Sequence, residues 1–232
     1  MYNEKSFISN IGLFDFFSSL PISSLSDCDI LQKIIINNIG IRLNSKTLRL
    51  PEYYPTLYGG LKMKQYPYEM AKLLCFLFER KHEINSYIEI GAERGGTFFT
   101  IDSFMQTINP NFKSSIAIDR SSQIMRNGFV KYAAIHKNCR FYKMNSQRFI
   151  PDSKYDLCFI DGDHSYAGVK ADFEKIKGYS RYIVFHDIAC TLPHIEVKNF
   201  WNEIKDKYEH QEFVFNHPDF PVQMGIGVIS IS

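Results

Sequence analysis

Two apolar runs of the sequence end abruptly in ionisable residues. The run YDLCFI is followed by Asp161, Gly162, Asp163 and His164, and the run YIVFHDI contains His186 and Asp187. Carboxylates and imidazoles at the ends of buried strands can bind a divalent cation or move a proton. In an open parallel sheet, ligands bind beyond the carboxyl ends of the strands, so Asp161 and the His186–Asp187 pair are expected to face one crevice.

Asp161, His186 and Asp187 form the predicted metal site. Carboxylates and water suit Mg²⁺, whereas an imidazole favours Mn²⁺, Fe²⁺ or Zn²⁺. In the alternative interpretation, Asp161 only hydrogen-bonds a ligand or caps a helix, and His186 is a core histidine. Asp163 also has a structural alternative, as the N-cap of the predicted helix SYAGVKADFEKIK.

A glycine-rich turn is the second candidate for chemistry. The segment YIEIGAERGGTFF places Gly91, Gly95 and Gly96 between a predicted strand and a predicted helix. Glycine lets the chain turn sharply, so that a ligand can reach the free N–H groups of the helix N-terminus; a tight turn without a ligand is the alternative. Glu89 precedes the loop and Glu93 lies within it, and this negative charge disfavours a pyrophosphate.

The run SIAIDR carries Asp119 at the predicted end of the second strand. An acidic residue at this place commonly accepts hydrogen bonds from ribose hydroxyls. Taken alone, Asp119 is more typical of a surface or capping residue. Together with the acidic glycine loop, it favours an adenosine-containing ligand without phosphates.

The order of the elements predicts the sheet that positions these residues. From Pro67 onward, short apolar runs alternate with helical segments, which indicates βαβ units and a parallel sheet. The last runs, EFVF and GIGVISIS, predict an antiparallel pair at one sheet edge. We therefore predict a Rossmann-like, doubly wound α/β domain over residues 66–232, mostly parallel with an antiparallel C-terminal edge strand, and a helical extension over residues 1–65.

Composition argues against several classes of protein. The net charge of +2 provides no basic stripe for nucleic acid. The five cysteines are odd in number and include no CxxC pair, which predicts reduced thiols and a cytoplasmic protein. The N-terminal segment FISNIGLFDFFSSL is too short and too interrupted for a membrane span or a secretion signal.

The glycine loop, Asp119, IDGDH and HD, in this order, resemble the class I S-adenosylmethionine-dependent methyltransferases over residues 66–232. More narrowly, FIDGDHSYAGVKADFE followed by IVFHDI and GIGVI is similar to the macrocin-type sugar O-methyltransferases. The resemblance implies S-adenosylmethionine and a divalent metal, Mg²⁺ first with Mn²⁺ or Fe²⁺ as alternatives, although that family usually has a carboxylate or an amide where His186 stands.

The resemblance also implies which residues contact the cofactor. Residues 144–147 are expected to line the adenine pocket. The expected cofactor contacts are Glu89, Gly91, Glu93, Gly95, Gly96, Thr97, Asp119, Arg120, Asn145, Ser146 and Asp161.

Methyl transfer to a hydroxyl requires an activated oxygen, by proton removal, by a metal, or by both. Asp163 matches the general base of the similar sugar methyltransferases, and His164 has the more suitable intrinsic pKa, near 6.5. Both are candidates, with Asp163 first.

The predicted function is methyl transfer from S-adenosylmethionine to a hydroxyl of a sugar or similar small molecule, with metal assistance. The expected partner is this small acceptor, with no nucleic acid and no membrane, and with a homo-oligomer as an option. The alternatives are a hydroxylase-like metal enzyme on the same fold, if the metal is Fe²⁺, and a non-catalytic binding protein.

Overall fold

The computed structural model describes residues 10–40, 49–51 and 60–231, and its centre is a seven-stranded sheet. The strands are β1 (Ser86–Ile90), β2 (Ser114–Asp119), β3 (Cys139–Lys143), β4 (Tyr155–Ile160), β5 (Ser180–His186), β6 (Glu209–Phe213) and β7 (Ile226–Ser230). Their order across the sheet is β3-β2-β1-β4-β5-β7-β6. Strands β1 to β5 pair in parallel, and β7 is antiparallel to both β5 and β6. The predicted fold class and its antiparallel edge are confirmed.

Helices surround this sheet. Within the described residues they are α1 (Asn10–Phe14), α2 (Cys28–Ile34), α3 (Pro67–Glu79), α4 (Gly96–Ile108), α5 (Gln123–Arg126), α6 (Phe129–Ile135), α7 (Tyr166–Ile176) and α8 (Val197–Ile204). After β2 the chain forms two separate helices, α5 and α6, because Gly128 between them adopts a positive φ of 106°. None of the described helices has the length and apolar character needed to cross a membrane.

The strand order reverses between β1 and β4, and this reversal positions the candidate site. Ile90 and Ile160, the last residues of the two strands, are paired in the ladder. The N–H of Asp161 donates to the carbonyl of Ile90 at 2.8 Å. The glycine loop after β1 and the DGDH segment after β4 therefore leave the sheet side by side, where open α/β sheets bind ligands.

The described part of the N-terminal extension packs on the domain that follows it. Phe14 of α1 contacts Phe99 of α4, with ring centroids 5.1 Å apart, and Phe17 contacts Phe104 at 5.3 Å. All four rings are buried in one hydrophobic cluster. The described part of the extension contains α1, α2 and short helical turns within residues 10–39, and the boundary at residue 65 stays a prediction.

The cysteines depart from the prediction that all are reduced. Cys28 of α2 and Cys75 of α3 form a disulfide, with their Cα atoms 6.1 Å apart. Cys139, Cys158 and Cys190 are free and buried. Sequence spacing did not reveal the pair because it forms only where α2 packs against α3. Cysteine usage therefore no longer supports the cytoplasmic location, which stays a prediction.

Glu69, in the first turn of α3, binds the loop between β6 and β7. Its Oε1 accepts hydrogen bonds from the N–H groups of Phe215 at 2.9 Å and Gly225 at 3.0 Å. Its side chain is fully buried, and Oε2 has no hydrogen-bond partner among the described residues. Burial raises the pKa of Glu69 to about 7, although the two backbone N–H groups oppose the shift.

This raised pKa predicts a stability effect of Glu69→Gln. The folded protein keeps the proton of Glu69 up to about pH 7, whereas the unfolded chain loses it near 4.5. The free energy of unfolding should therefore fall as the pH rises through this window, by up to about 3 kcal/mol. Glutamine retains the acceptor oxygen and does not ionise, so the variant should lack this component. Urea denaturation of both proteins at pH 5 and pH 8 measures it, and an identical pH dependence would contradict the assignment.

Candidate active site

A cavity of about 1230 Å³ opens at the carboxyl ends of the parallel strands. Its wall is formed by the segments that follow β1 to β5, together with residues from the N-terminal side of α3 and from the loop before β7. Eleven of the residues selected from the sequence line it: Gly91, Glu93, Asp119, Arg120, Asn145, Ser146, Asp161, Asp163, His164, His186 and Asp187.

The glycine loop is shaped by close contact with the DGDH segment. Gly91 has a φ of 94°, and a Cβ atom there would lie 2.2 Å from the carbonyl oxygen of Asp161. Asp119 also orders this loop, because its carboxylate accepts from the N–H of Glu93 at 2.7 Å and from the N–H of Ser121 at 2.6 Å. The predicted ribose-binding acid is thus already oriented by the loop it faces.

Four of the predicted cofactor contacts do not line the cavity. Glu89 is buried and accepts from the hydroxyl of Tyr87, and burial raises its pKa well above the ordinary value. Thr97 is also buried, and its hydroxyl donates a hydrogen bond to Gln65 Oε1. The other two, Gly95 and Gly96, make room for neighbouring protein atoms: side chains of Ile124 and Phe99 at Gly95, and the backbone of residues 61–63 at Gly96. Their glycine identity serves packing.

Residues 144–147 all line the cavity, and their predicted role in an adenine pocket stays a prediction. Asn145 caps the short turn, since its Oδ1 accepts from the N–H of Gln147 at 2.9 Å. The Nε2 of Gln147 donates to Asp172 Oδ1 at 2.7 Å. Burial raises the pKa of Asp172 to about 6, and this carboxylate holds the amide of Gln147 in place at the cavity wall.

Two carboxylates and two imidazoles meet where the DGDH segment adjoins the end of β5. Asp161 Oδ1 lies 3.3 Å from His164 Nε2 and 3.2 Å from His186 Nδ1. Asp187 completes the ring, with Oδ2 3.4 Å from His164 Nδ1 and Oδ1 3.5 Å from His186 Nδ1. We call these four residues the carboxylate–imidazole cluster.

The charges in this cluster stabilise one another. Burial raises the pKa of Asp161, but His186 and His164 outweigh it and hold that pKa well below its ordinary value. The hydrogen bond to Asp161 raises the pKa of His164, although burial opposes this. Burial lowers the pKa of His186, yet Asp187 and Asp161 raise it to about 10. The carboxylates therefore favour the protonated form of both imidazoles.

The cluster has the chemistry of a metal site. Among the described residues, the potential ligand atoms of Asp161, His164 and Asp187 all lie within 4.8 Å of one another. The structure thus brings His164, rather than the predicted His186, into this group. His186 contacts both carboxylates through Nδ1, and its Nε2 is buried without a described partner. Two carboxylates with one imidazole fit Mn²⁺, Fe²⁺ or Mg²⁺.

Asp187 adopts a backbone conformation that supports a functional assignment. Its φ is 64°, in the left-handed region that residues with side chains seldom occupy. Such strain is concentrated at active sites and ligand-binding segments. Here it ends β5 and turns the carboxylate toward His164.

Asp163 is held by a local turn and is not the N-cap of α7. That position belongs to Ser165, whose hydroxyl accepts from the N–H of Gly168 at 3.1 Å. Asp163 Oδ1 accepts from the N–H of Ser165 at 3.0 Å, and these bonds to Ser165 lower the pKa of Asp163. Gly168 provides the necessary room, since a Cβ there would lie 2.4 Å from Asp163 Cγ.

Some residues of the site were not found from the sequence. Lys64 lines the cavity and pairs with Glu93, with Nζ 3.0 Å from Oε2. Gln65 reaches Asp161 from the same segment. No motif marks this segment, and only its position before α3 could have suggested it. The cavity also has an apolar group of lining residues, Cys190, Leu192, Ile195 and Met224.

The chain is also similar to known proteins. Residues 88–188 match the family model described as a methyltransferase domain. No curated protein matches the chain. Similar solved structures include a candidate O-methyltransferase from Klebsiella pneumoniae, with 14% identity and a TM-score of 0.53 over 91% of this chain and 94% of that chain.

Two further structures extend the likeness. The human methyltransferase 10 domain containing protein is 10% identical, with a TM-score of 0.54 over 89% of this chain and 99% of that chain. An rRNA methylase from Streptococcus thermophilus is 9% identical, with a TM-score of 0.53 over 71% of this chain and 97% of that chain. At these identities the structures establish the fold. Residues 88–188 therefore match a methyltransferase domain, and the chain has the fold of these methyltransferase structures.

Proposed function

We propose that the protein transfers a methyl group from S-adenosylmethionine to a hydroxyl of a small molecule, with a sugar-containing acceptor as the first class to test. One observation carries the proposal. The carboxylate–imidazole cluster adjoins the glycine loop in a single cavity, so an acceptor oxygen at the cluster would lie beside a cofactor bound at the loop. Such alignment of acceptor, methyl carbon and leaving sulfur is the chief contribution of an enzyme to this reaction.

Cofactor binding is assigned to the side of the cavity that carries the glycine loop. S-adenosylmethionine supplies an electrophilic methyl carbon on a positively charged sulfur. Asp119 offers its carboxylate to the ribose, and residues 144–147 supply the adenine wall. Gly91 lines the cavity, and its lack of a side chain lets the loop backbone lie close to a ligand.

Metal binding is assigned to Asp161, His164 and Asp187. A divalent cation held there would lower the pKa of an acceptor hydroxyl. His186 would help to orient the two carboxylates of this group, because its Nδ1 contacts both of them. The imidazole of His164 argues for Mn²⁺ or Fe²⁺ as well as Mg²⁺.

Proton removal is assigned to Asp163, with His164 as the alternative. His164 faces Asp161 and Asp187, so a metal would occupy its lone pair, whereas Asp163 lines the cavity outside that group. The hydrogen bonds from Ser165 lower the pKa of Asp163 and make it a weak base. A weak base suffices where a cation has already acidified the hydroxyl, which ties the choice of Asp163 to metal assistance.

Calorimetric titration tests the proposal directly. The wild-type protein should bind S-adenosylmethionine and S-adenosylhomocysteine, and Asp119→Ala should weaken both. Turnover with a panel of sugars and small phenols should stop with EDTA and return with Mn²⁺ or Mg²⁺, and added RNA should neither accept methyl groups nor inhibit. The absence of binding to either cofactor form would reject methyl transfer, and EDTA-resistant turnover would reject metal assistance.

Asp163→Asn should lower kcat by about 10²- to 10³-fold, because the amide cannot accept the proton. The affinity for S-adenosylhomocysteine should stay at the wild-type value, since asparagine can still accept from Ser165. Asp206→Asn, an exposed change of the same type, is the control. Wild-type kcat in Asp163→Asn would move the role of the base to His164.

A further inference from the structure

Gln65 lies just before α3, outside the part of the chain that matches the family model, yet its side chain contacts Asp161 of the site. It is 1% exposed. Its Nε2 donates to Asp161 Oδ2 at 3.0 Å, and its Oε1 accepts from the hydroxyl of Thr97 at 2.6 Å. Both ends of a buried amide are thus used, which fixes its conformation.

The chemistry of the two partners determines the orientation of this amide. An ionised carboxylate only accepts hydrogen bonds, so the NH₂ group of Gln65 must face Asp161. The hydroxyl of Thr97 can donate, and it meets the remaining oxygen. A reversed amide would place its oxygen against Asp161 Oδ2 and leave two acceptors in contact without a proton.

The amide divides the two oxygens of Asp161 between different neighbours. Oδ1 faces the imidazoles of His164 and His186, whereas Oδ2 is bound by Gln65. Free rotation of the carboxylate would break one set of these contacts. Gln65 therefore controls which oxygen of Asp161 is presented to the cluster, and groups that hydrogen-bond a ligand in this way set its orientation and its affinity for a metal.

We propose that Gln65 is a positioning residue that presents Asp161 Oδ1 to a divalent cation and withholds Oδ2. This role rests on the metal-assisted function proposed above. Thr97 belongs to the first turn of α4, directly after the glycine loop, so the same amide also ties the cation side of the site to the cofactor side.

The test measures Mn²⁺ affinity apart from catalysis. Gln65→Met has a similar volume and makes neither hydrogen bond, so Asp161 can rotate. The dissociation constant for Mn²⁺, measured by electron paramagnetic resonance of the free ion, should rise about 10- to 100-fold. The affinity for S-adenosylhomocysteine, measured by calorimetry, should not change. Gln211→Met, on the exposed face of β6, is the control and should leave both affinities at the wild-type value.

The outcomes separate the role of Gln65 from the function itself. If Gln65→Met does not fold, Gln65→Ala admits water to both partners and carries the same expectation. Wild-type Mn²⁺ affinity in a folded variant would overturn the proposal, and so would parallel losses of Mn²⁺ affinity, cofactor affinity and Tm, which indicate a purely structural role. A wild-type protein that binds S-adenosylhomocysteine but no Mn²⁺ refutes the metal site and with it the role of Gln65, and it leaves methyl transfer itself standing. Failure to bind S-adenosylhomocysteine refutes the proposed function.

Discussion

Asp161→Asn is expected to lower kcat by about 10³-fold, which corresponds to about 4 kcal/mol of transition-state stabilisation. The change removes a negative charge that faces two imidazoles and a proposed cation, and it replaces one acceptor oxygen with a donor. The amide group is nearly isosteric, so the loop should keep its shape and S-adenosylhomocysteine should still bind. Steady-state kinetics at saturating metal, together with calorimetry, measure the two effects separately.

Asp156→Asn is the matched control, because Asp156 lies near the start of β4, whereas Asp161 directly follows its end. Its carboxylate accepts from the N–H of Asn85 at 2.7 Å and from the hydroxyl of Ser86, far from the cavity. This variant should lose some stability and keep its kcat. If Asp161→Asn kept kcat within about tenfold of the wild type, a loss of about 1.4 kcal/mol or less, the cluster would have no part in the reaction.

Gly91→Ala should abolish detectable binding of S-adenosylhomocysteine and destabilise the fold by about 3 kcal/mol or more. The added Cβ would lie 2.2 Å from the carbonyl oxygen of Asp161 and 2.6 Å from Gly162 Cα. Both are backbone atoms of a strand end, so they cannot yield as a flexible side chain would. The positive φ adds strain of its own. Urea denaturation and calorimetry measure the two losses.

Gly178→Ala provides the corresponding control. Gly178 follows α7, and a Cβ there would meet no atom within 4 Å. Its effect on stability should stay within about 0.5 kcal/mol, with unchanged cofactor binding. Wild-type affinity in Gly91→Ala would show that the loop is a simple turn and that the cofactor lies elsewhere.

The sequence predicted the fold and the convergence of the acidic strand ends for a physical reason. The alternation of short apolar runs with helical segments leaves few topologies, and in a parallel sheet the residues after β4 and β5 must meet at one edge. The proximity of Asp161 to Asp187 follows from that. Which imidazole, that of His164 or that of His186, joins the candidate metal group could not be predicted in this way. It depends on the turn at Gly162 and on the strained φ of Asp187.

The roles of the glycines and of Gln65 required long-range contacts that no local pattern contains. Gly95 and Gly96 look like ligand-facing glycines, but the space beside them is filled by Ile124 and by the backbone of residues 61–63. Gln65 is 96 residues from Asp161 in sequence. The predicted boundary after residue 65 would separate this amide from both of its partners, so the segment before α3 belongs to the site.

The contact between Glu69 and the β6–β7 loop bears on how acceptor preference could be altered. One carboxylate oxygen binds the loop near its start, at Phe215, and at its end, at Gly225, and Tyr66 binds the carbonyl of Val222 between them. The loop is thus anchored through backbone atoms, which every sequence provides. Side chains such as Met224 at the cavity wall can be exchanged without loss of these anchors. Under the proposed function, we therefore expect residues 216–224 to accept new side chains that alter acceptor specificity while these backbone anchors are kept.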